Sequence, residues 1–116
     1  MSRRLCLALD LVDDAALIAE YDAHHAAGAV WPEVTADISA SGIESMEIWR
    51  VNDRCMMIID VSNDYPRPKP ALNRDIVDRW DALMLRYQKP LPGSLRGETW
   101  SLMQRIYKMP NAKSNE

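Results

Sequence analysis

The chain has 116 residues, 47% of them apolar and 27% charged, and its 14 Lys and Arg against 17 Asp and Glu leave a formal charge of −3. That length fits one globular domain, and the apolar share excludes a disordered chain. The mild acidity argues against nucleic acid or an anionic membrane as partner, because both need a concentrated basic surface.

The chain opens basic and then apolar, but Asp10 interrupts the apolar stretch and no cleavage pattern follows, so a secretory signal is not expected. No apolar run is long enough to cross a bilayer. Residues 3–11 alternate like a strand, with Leu5, Leu7, Leu9 and Leu11 on one face and Cys6 and Ala8 on the other. Asp13 and Asp14 supply a cap and a first-turn charge for a helix over 14–27, which Gly28 ends. Leu17, Ile18, Tyr21 and His25 share one side of it. Trp31-Pro32-Glu33 opens a shorter helix striped by Val34 and Ile38, and Gly42 closes it. Ile43–Val51 reads as a strand, Asn52-Asp53 as a tight turn, and Cys55–Val61 as a central strand apolar on both faces. Pro66, Pro68 and Pro70 hold 63–72 in a loop. The spacing of Ile76, Val77, Trp80, Leu83, Met84 and Tyr87 predicts a third helix, which Pro90 and Pro92 stop. Glu98–Tyr107 reads as the fourth strand, and 111–116 as a frayed tail beyond a single 1–110 domain.

This order is that of the split βαβ, ferredoxin-like fold: α+β, four antiparallel strands with helices on one face. Strands apolar on both faces would leave the second face of the sheet bare. A two-fold homodimer that buries it, or shares a strand edge, is the expected remedy.

Tyr21 and His25 lie one helical turn apart and can reach one cavity, whereas His24 points about 100° away. An imidazole gives or takes a proton near neutral pH, although His25 could equally be a half-buried packing residue. Trp31, Trp49, Trp80 and Trp100 offer flat faces for the C–H faces of a sugar, with core packing the competing explanation. Glu47, Asp60 and Asp81 are candidates for a second acid or base. Asp60 interrupts an apolar strand, unless it marks that strand's solvated end. Cys6 and Cys55 have no evident activating neighbours and make no disulfide framework, so a reduced, cytoplasmic setting is expected. Two diverging histidines and two cysteines on separate strands give no metal-ligand spacing, and four singly spaced glycines make no phosphate loop.

Tyr21-Asp22-Ala23-His24-His25, then Val30-Trp31-Pro32-Glu33-Val34 and Gly42-Ile43, resemble the signature of the L-rhamnose mutarotase family. Arg79-Trp80 with Leu83-Met84, and the closing Tyr107-Lys108-Met109-Pro110, extend the likeness over residues 3–110. It implies a dimeric α+β barrel-type enzyme that interconverts the α and β anomers of a 6-deoxy-L-sugar without cofactor or metal. By position His25 becomes the general acid, Tyr21 a sugar contact and Trp80 the sugar platform, with Trp31 also among the sugar contacts. Asp60 or Asp81, or a water, takes the hydroxyl proton. The chain departs from the family pattern in two extra residues around Ala27-Gly28. Met46 stands where the family carries a binding tyrosine, and Asp81 replaces a second tryptophan. Gly42-Ile43, Met46-Glu47-Ile48 and Leu83-Met84-x-x-Tyr87-Gln88 look closer to a branch acting on L-fucose than to one acting on L-rhamnose. A swap of polar and aromatic contacts suits two sugars that differ in hydroxyl stereochemistry. By fold analogy alone, a cofactor-free monooxygenase or a non-catalytic small-molecule-binding module competes with this reading.

Overall fold

The structure, a computed structural model, describes residues 2–68 and 73–111. Strand β1 (Ser2–Leu11) runs antiparallel to β3 (Arg54–Ser62), and β3 to β2 (Ile43–Val51). Two short strands, β4 (Gln88–Lys89) and β5 (Ser101–Leu102), share the other edge of β1, which gives the order β2-β3-β1-β4. The expected ferredoxin-like sheet is present. Period-two alternation sets its register: Leu5 stands opposite Ile59, Leu7 opposite Met57 and Leu9 opposite Cys55, all on the helix-covered face. Leu9, Leu11, Cys55 and Val61 are fully buried there, and removing each such apolar side chain from water contributes roughly 1.5–3 kcal/mol.

The β2–β3 hairpin closes through Asn52, which takes the left-handed conformation that asparagine tolerates (φ 51°). Near its start β2 carries an extra residue, with the register shifting between Ile43 and Ser45. Gly42, just before it, has φ +104°, and a Cβ there would sit 2.6 Å from the Ser62 hydroxyl oxygen. Only glycine lets β2 and the end of β3 approach so closely.

Helix α1 (Ala15–His24) starts at Asp14, whose carboxylate accepts a hydrogen bond from the Leu17 amide at 3.0 Å. It ends three residues before the expected position, because His25 leaves helical geometry and Gly28 (φ +81°) belongs to the turns that follow. Helix α2 (Pro32–Ala40) begins with proline and Glu33, as its sequence predicts. Helix α3 (Arg74–Leu85) buries Val77, Trp80 and Met84 on one stripe. These helices, with Tyr21, Val34 and Tyr87, close the main core over β1 and β3.

The predicted fourth strand, Glu98–Tyr107, is mostly absent. Ser101 and Leu102 pair with Ala8 and Leu7, the Met103 amide reaches the Cys6 carbonyl at 2.8 Å, and from 104 on the chain has no strand assignment. Leu102, Ile106, Tyr107 and Met109 are all exposed, so this segment lacks the buried face that holds a strand in register. Apart from Asn111, the expected frayed tail lies outside the described residues, as do positions 69–72 of the proline loop.

Among the described residues no helix covers the outer face of the sheet. Ala8 is buried there and Cys6, Met56 and Ile58 are half-buried, whereas Trp49 is 61% and Val51 67% exposed. Strand β3 is central, as predicted, but the described helices of one chain cover only one of its faces. No helix among the described residues is long and apolar enough to cross a membrane.

Candidate active site

A cavity of about 540 Å³ opens on the helix-covered side of the sheet. The end of α1 supplies Tyr21 and His25, β2 supplies Met46 and Ile48, and α3 supplies Trp80 and Asp81. Its size is in the range of small-molecule sites.

His25 is the first residue past α1. Its Nδ1 lies 2.7 Å from the carbonyl oxygen of Tyr21, one of the helix-end carbonyls left without an amide partner. A carbonyl only accepts, so Nδ1 carries the proton, and Nε2 is the nitrogen left for proton exchange. The imidazole stacks obliquely on the Tyr21 ring at 4.4 Å and meets Trp80 edge-on at 5.7 Å. Tyr21 is buried, and burial foremost raises its phenol above the ordinary range. Cys55 and Asp22 act in the same direction, and a hydrogen bond with Gln88 opposes it. The Tyr21 phenol therefore stays protonated at neutral pH.

Trp80 stands between several rings. Besides His25, it meets Trp31 edge-on at 5.2 Å. Trp31 thus packs against the wall residue and is not itself part of the cavity lining. Asp81, exposed, adjoins the cavity from the next position of α3.

The structure brings Tyr21, His25, Met46, Trp80 and Asp81 together. It does not bring Asp60 to them. On β3 the alternation turns Asp60 to the outer face, where its carboxylate accepts from Ser45 Oγ at 2.9 Å and from Arg4 Nε at 3.2 Å. Those two hydrogen bonds, Ser45 first, lower its carboxyl below the ordinary value. The interruption of an apolar strand by Asp60 thus reflects a partnered charge on the face without helices. Glu47 also sits on that face, where it accepts from the Trp49 indole at 2.8 Å.

Sequence reasoning missed Asp37, Gln88 and Thr99, which line the cavity, and Trp100, named only as one of four candidate sugar platforms, lines it as well. Asp37 had a legible signal: it falls three residues after Val34 and beside Ile38, on the inner stripe of α2. Its side chain is only 12% exposed, and Arg74 donates to it at 3.2 Å. Thr99 and Trp100 follow the Gly93–Gly97 turns, a stretch with no periodicity to read. Cys55 is buried in the core and burial pushes its thiol up to about 11, the condition of an unreactive packing cysteine. Among the described residues no three His, Cys, Asp or Glu side chains converge as metal ligands.

An imidazole with one nitrogen tied to a carbonyl, an indole wall, a neutral phenol and a carboxylate thus line one cavity of a small α+β domain. Comparison with known proteins makes this specific. The chain belongs to the L-rhamnose mutarotase family, whose model matches residues 4–109; these are carbohydrate isomerases. It is 48% identical over 117 aligned positions to an L-fucose mutarotase of Xanthomonas campestris pv. campestris, covering 97% of this chain and 92% of that protein. A UPF0734 protein of Dictyostelium discoideum is 32% identical, over 86% of this chain and 84% of its own length. The crystal structure of an L-rhamnose mutarotase from Formosa agariphila shares the fold, with a TM-score of 0.64 and 17% identity, over 93% of this chain and 99% of that one.

Proposed function

We propose that this chain interconverts the α and β anomers of a 6-deoxy-L-hexose, L-fucose ahead of L-rhamnose, by acid–base ring opening. Mutarotation removes the proton of the anomeric hydroxyl and delivers one to the ring oxygen. The C1–O5 bond breaks to give the aldehyde, rotation about C1–C2 presents the other carbonyl face, and reclosure reverses the proton transfers. His25, entering as the imidazolium with its second proton on Nε2, is the acid toward the ring oxygen and is left as the neutral Nδ1–H tautomer. The carboxylate of Asp81 takes the hydroxyl proton directly or through a water. Trp80 carries the apolar C–H face of the ring, Tyr21 offers a neutral hydroxyl, and Met46 packs where a 6-methyl group would find an apolar neighbour.

The preference for L-fucose is supported by the 48% identity to an L-fucose mutarotase. The observation that supports the mechanism is the bond from His25 Nδ1 to the Tyr21 carbonyl at 2.7 Å, which leaves Nε2 as the exchanging atom of a ring that lines the cavity. The enzyme is further proposed to work as a homodimer that buries the outer sheet face. Nuclear magnetic resonance exchange between the anomeric protons of L-fucose and L-rhamnose, with and without the protein, tests the function. Acceleration of both, with L-fucose faster, is expected. Neither sugar responding would overturn the reading.

A further inference from the structure

Beside the aromatic wall, three polar side chains form a chain that the reaction above does not use. Tyr87, buried just past α3, donates its hydroxyl proton to Glu20 Oε1 at 2.9 Å. His24 Nε2 lies 3.1 Å from the same phenolic oxygen. A phenol has one proton. With that proton committed to the carboxylate, the oxygen is left to accept, so His24 presents Nε2–H. Arg86 stands at the outer end, 4.0 Å from Glu20, with its guanidinium carbon 5.9 Å from the Tyr87 ring centroid.

The inner end meets the site. The His24 ring contacts Trp80 edge-on at 6.2 Å, and the Tyr87 ring contacts Tyr21 edge-on at 6.0 Å. Trp80 and Tyr21 line the cavity; His24 and Tyr87 do not. One hydrogen-bonded chain therefore abuts both aromatic walls from outside. The regular-helix argument that sends His24 away from His25 holds for the cavity itself, but it overlooked that Trp80 is broad enough to touch both imidazoles. Burial foremost, and then the Glu20 carboxylate, push the Tyr87 phenol above its ordinary range, so the donor persists at neutral pH.

We infer that Glu20, Tyr87 and His24 form a tether that fixes Trp80 and Tyr21 in the spacing a pyranose requires, making His24 and Tyr87 positioning residues. The inference rests on the reading of the cavity as a sugar site. A loosened wall weakens ground-state and transition-state binding alike, so the signature is in KM and not in kcat.

Tyr87→Phe keeps the ring and removes both hydrogen bonds. KM for L-fucose should rise about three- to tenfold with kcat within about twofold, measured well below the melting temperature. Glu20→Gln retains an acceptor oxygen for the Tyr87 hydroxyl and should stay near the wild-type KM, whereas Glu20→Ala should resemble Tyr87→Phe. A second measurement does not depend on turnover. The Trp80 indole N–H resonance of the ¹H–¹⁵N spectrum should shift or broaden in Tyr87→Phe and Glu20→Ala and hold in Glu20→Gln. An unmoved Trp80 resonance, or an unchanged KM in Tyr87→Phe, overturns the tether. Wild-type protein that leaves anomer exchange unaccelerated overturns the sugar reading instead, and the indole resonance then decides the tether alone.

Discussion

His25 closes the helix that carries it: its ring returns to the carbonyl of Tyr21, one turn earlier, at 2.7 Å. The same bond ends α1, orients the imidazole and fixes which nitrogen is protonated. Under the proposed mechanism, helix termination and proton transfer share one interaction, and the first prediction follows from it.

His25→Ala should slow L-fucose anomer exchange by roughly 10²-fold or more, in line with the loss of a positioned acid–base side chain. Sugar affinity should change little, because Trp80 and Tyr21 still frame the ring. Anomeric-proton exchange gives the rate and a sugar titration the affinity. An exchange rate equal to wild type would remove His25 from the mechanism.

Two of the three carboxylates singled out from sequence, Asp81 and Asp60, should separate cleanly. Asp81→Asn removes a base at the cavity and should lower exchange at least tenfold, again within the scale of acid–base assistance. Asp60→Asn alters only the Ser45 and Arg4 contacts on the far side of the sheet and should leave the rate intact. The reverse result would place the chemistry on the wrong face of this sheet.

That pair also shows what was legible before any coordinates. Leu5 to Leu11, the hairpin around Asn52 and the stripe of α3 announced themselves because local periodicity and tertiary burial agree there. Which face Asp60 takes depends on the register of β3 against β1 and β2, a non-local fact. The fourth strand failed for a similar reason. Its residues have strand-forming side chains, but Ile106 is 93% exposed and none of the described residues covers it. His24 and Tyr87 are 63 positions apart, and only the packing of α1 against the end of α3 brings them together.

Acid should weaken the fold partly through Asp10. Arg54 donates to both its oxygens, at 2.7 and 3.0 Å, across β1 and β3. The Arg54 hydrogen bond foremost, with the charges of Arg54 and Lys89, lowers the Asp10 carboxyl below its ordinary 3.8 against an opposing effect of burial. The unfolded chain thus takes up this proton at a higher pH than the folded one. The contribution is complete above about pH 5, fades as pH falls through 3.8, and is gone below the folded value. Asp10→Asn should therefore lower the melting temperature at pH 7 and flatten its decline between pH 5 and about 3. Parallel pH curves for the two proteins would contradict this assignment.

Gly42→Ala should cost stability at the join of α2 and β2. The left-handed backbone alone costs a non-glycine residue roughly 1–2 kcal/mol, and the approach of Ser62 Oγ adds to it. Urea denaturation should show the loss as a lower midpoint with an unchanged slope. A midpoint at the wild-type value would mean that the loop relaxes without strain.

The last prediction concerns the sheet face without helices. Trp49 and Val51 project from β2 onto that face, and half-buried Met56 and Ile58 continue it across β3. Exposed apolar side chains gathered on one flat surface are uncommon on a monomer and are the material of an isologous two-fold interface. Leu102 at the end of β5, with Ile106, Tyr107 and Met109 in the chain that follows, adds a second apolar element. Trp49→Asp combined with Val51→Asp changes side chains that are already mostly exposed in the single chain, so the fold should survive while desolvated charges oppose the interface. Sedimentation equilibrium should give twice the chain mass for the wild type and the single-chain mass for the double variant, with matching far-ultraviolet circular dichroism. Wild-type protein that sediments as a monomer at tens of micromolar would mean that this surface stays open to solvent or serves a different partner.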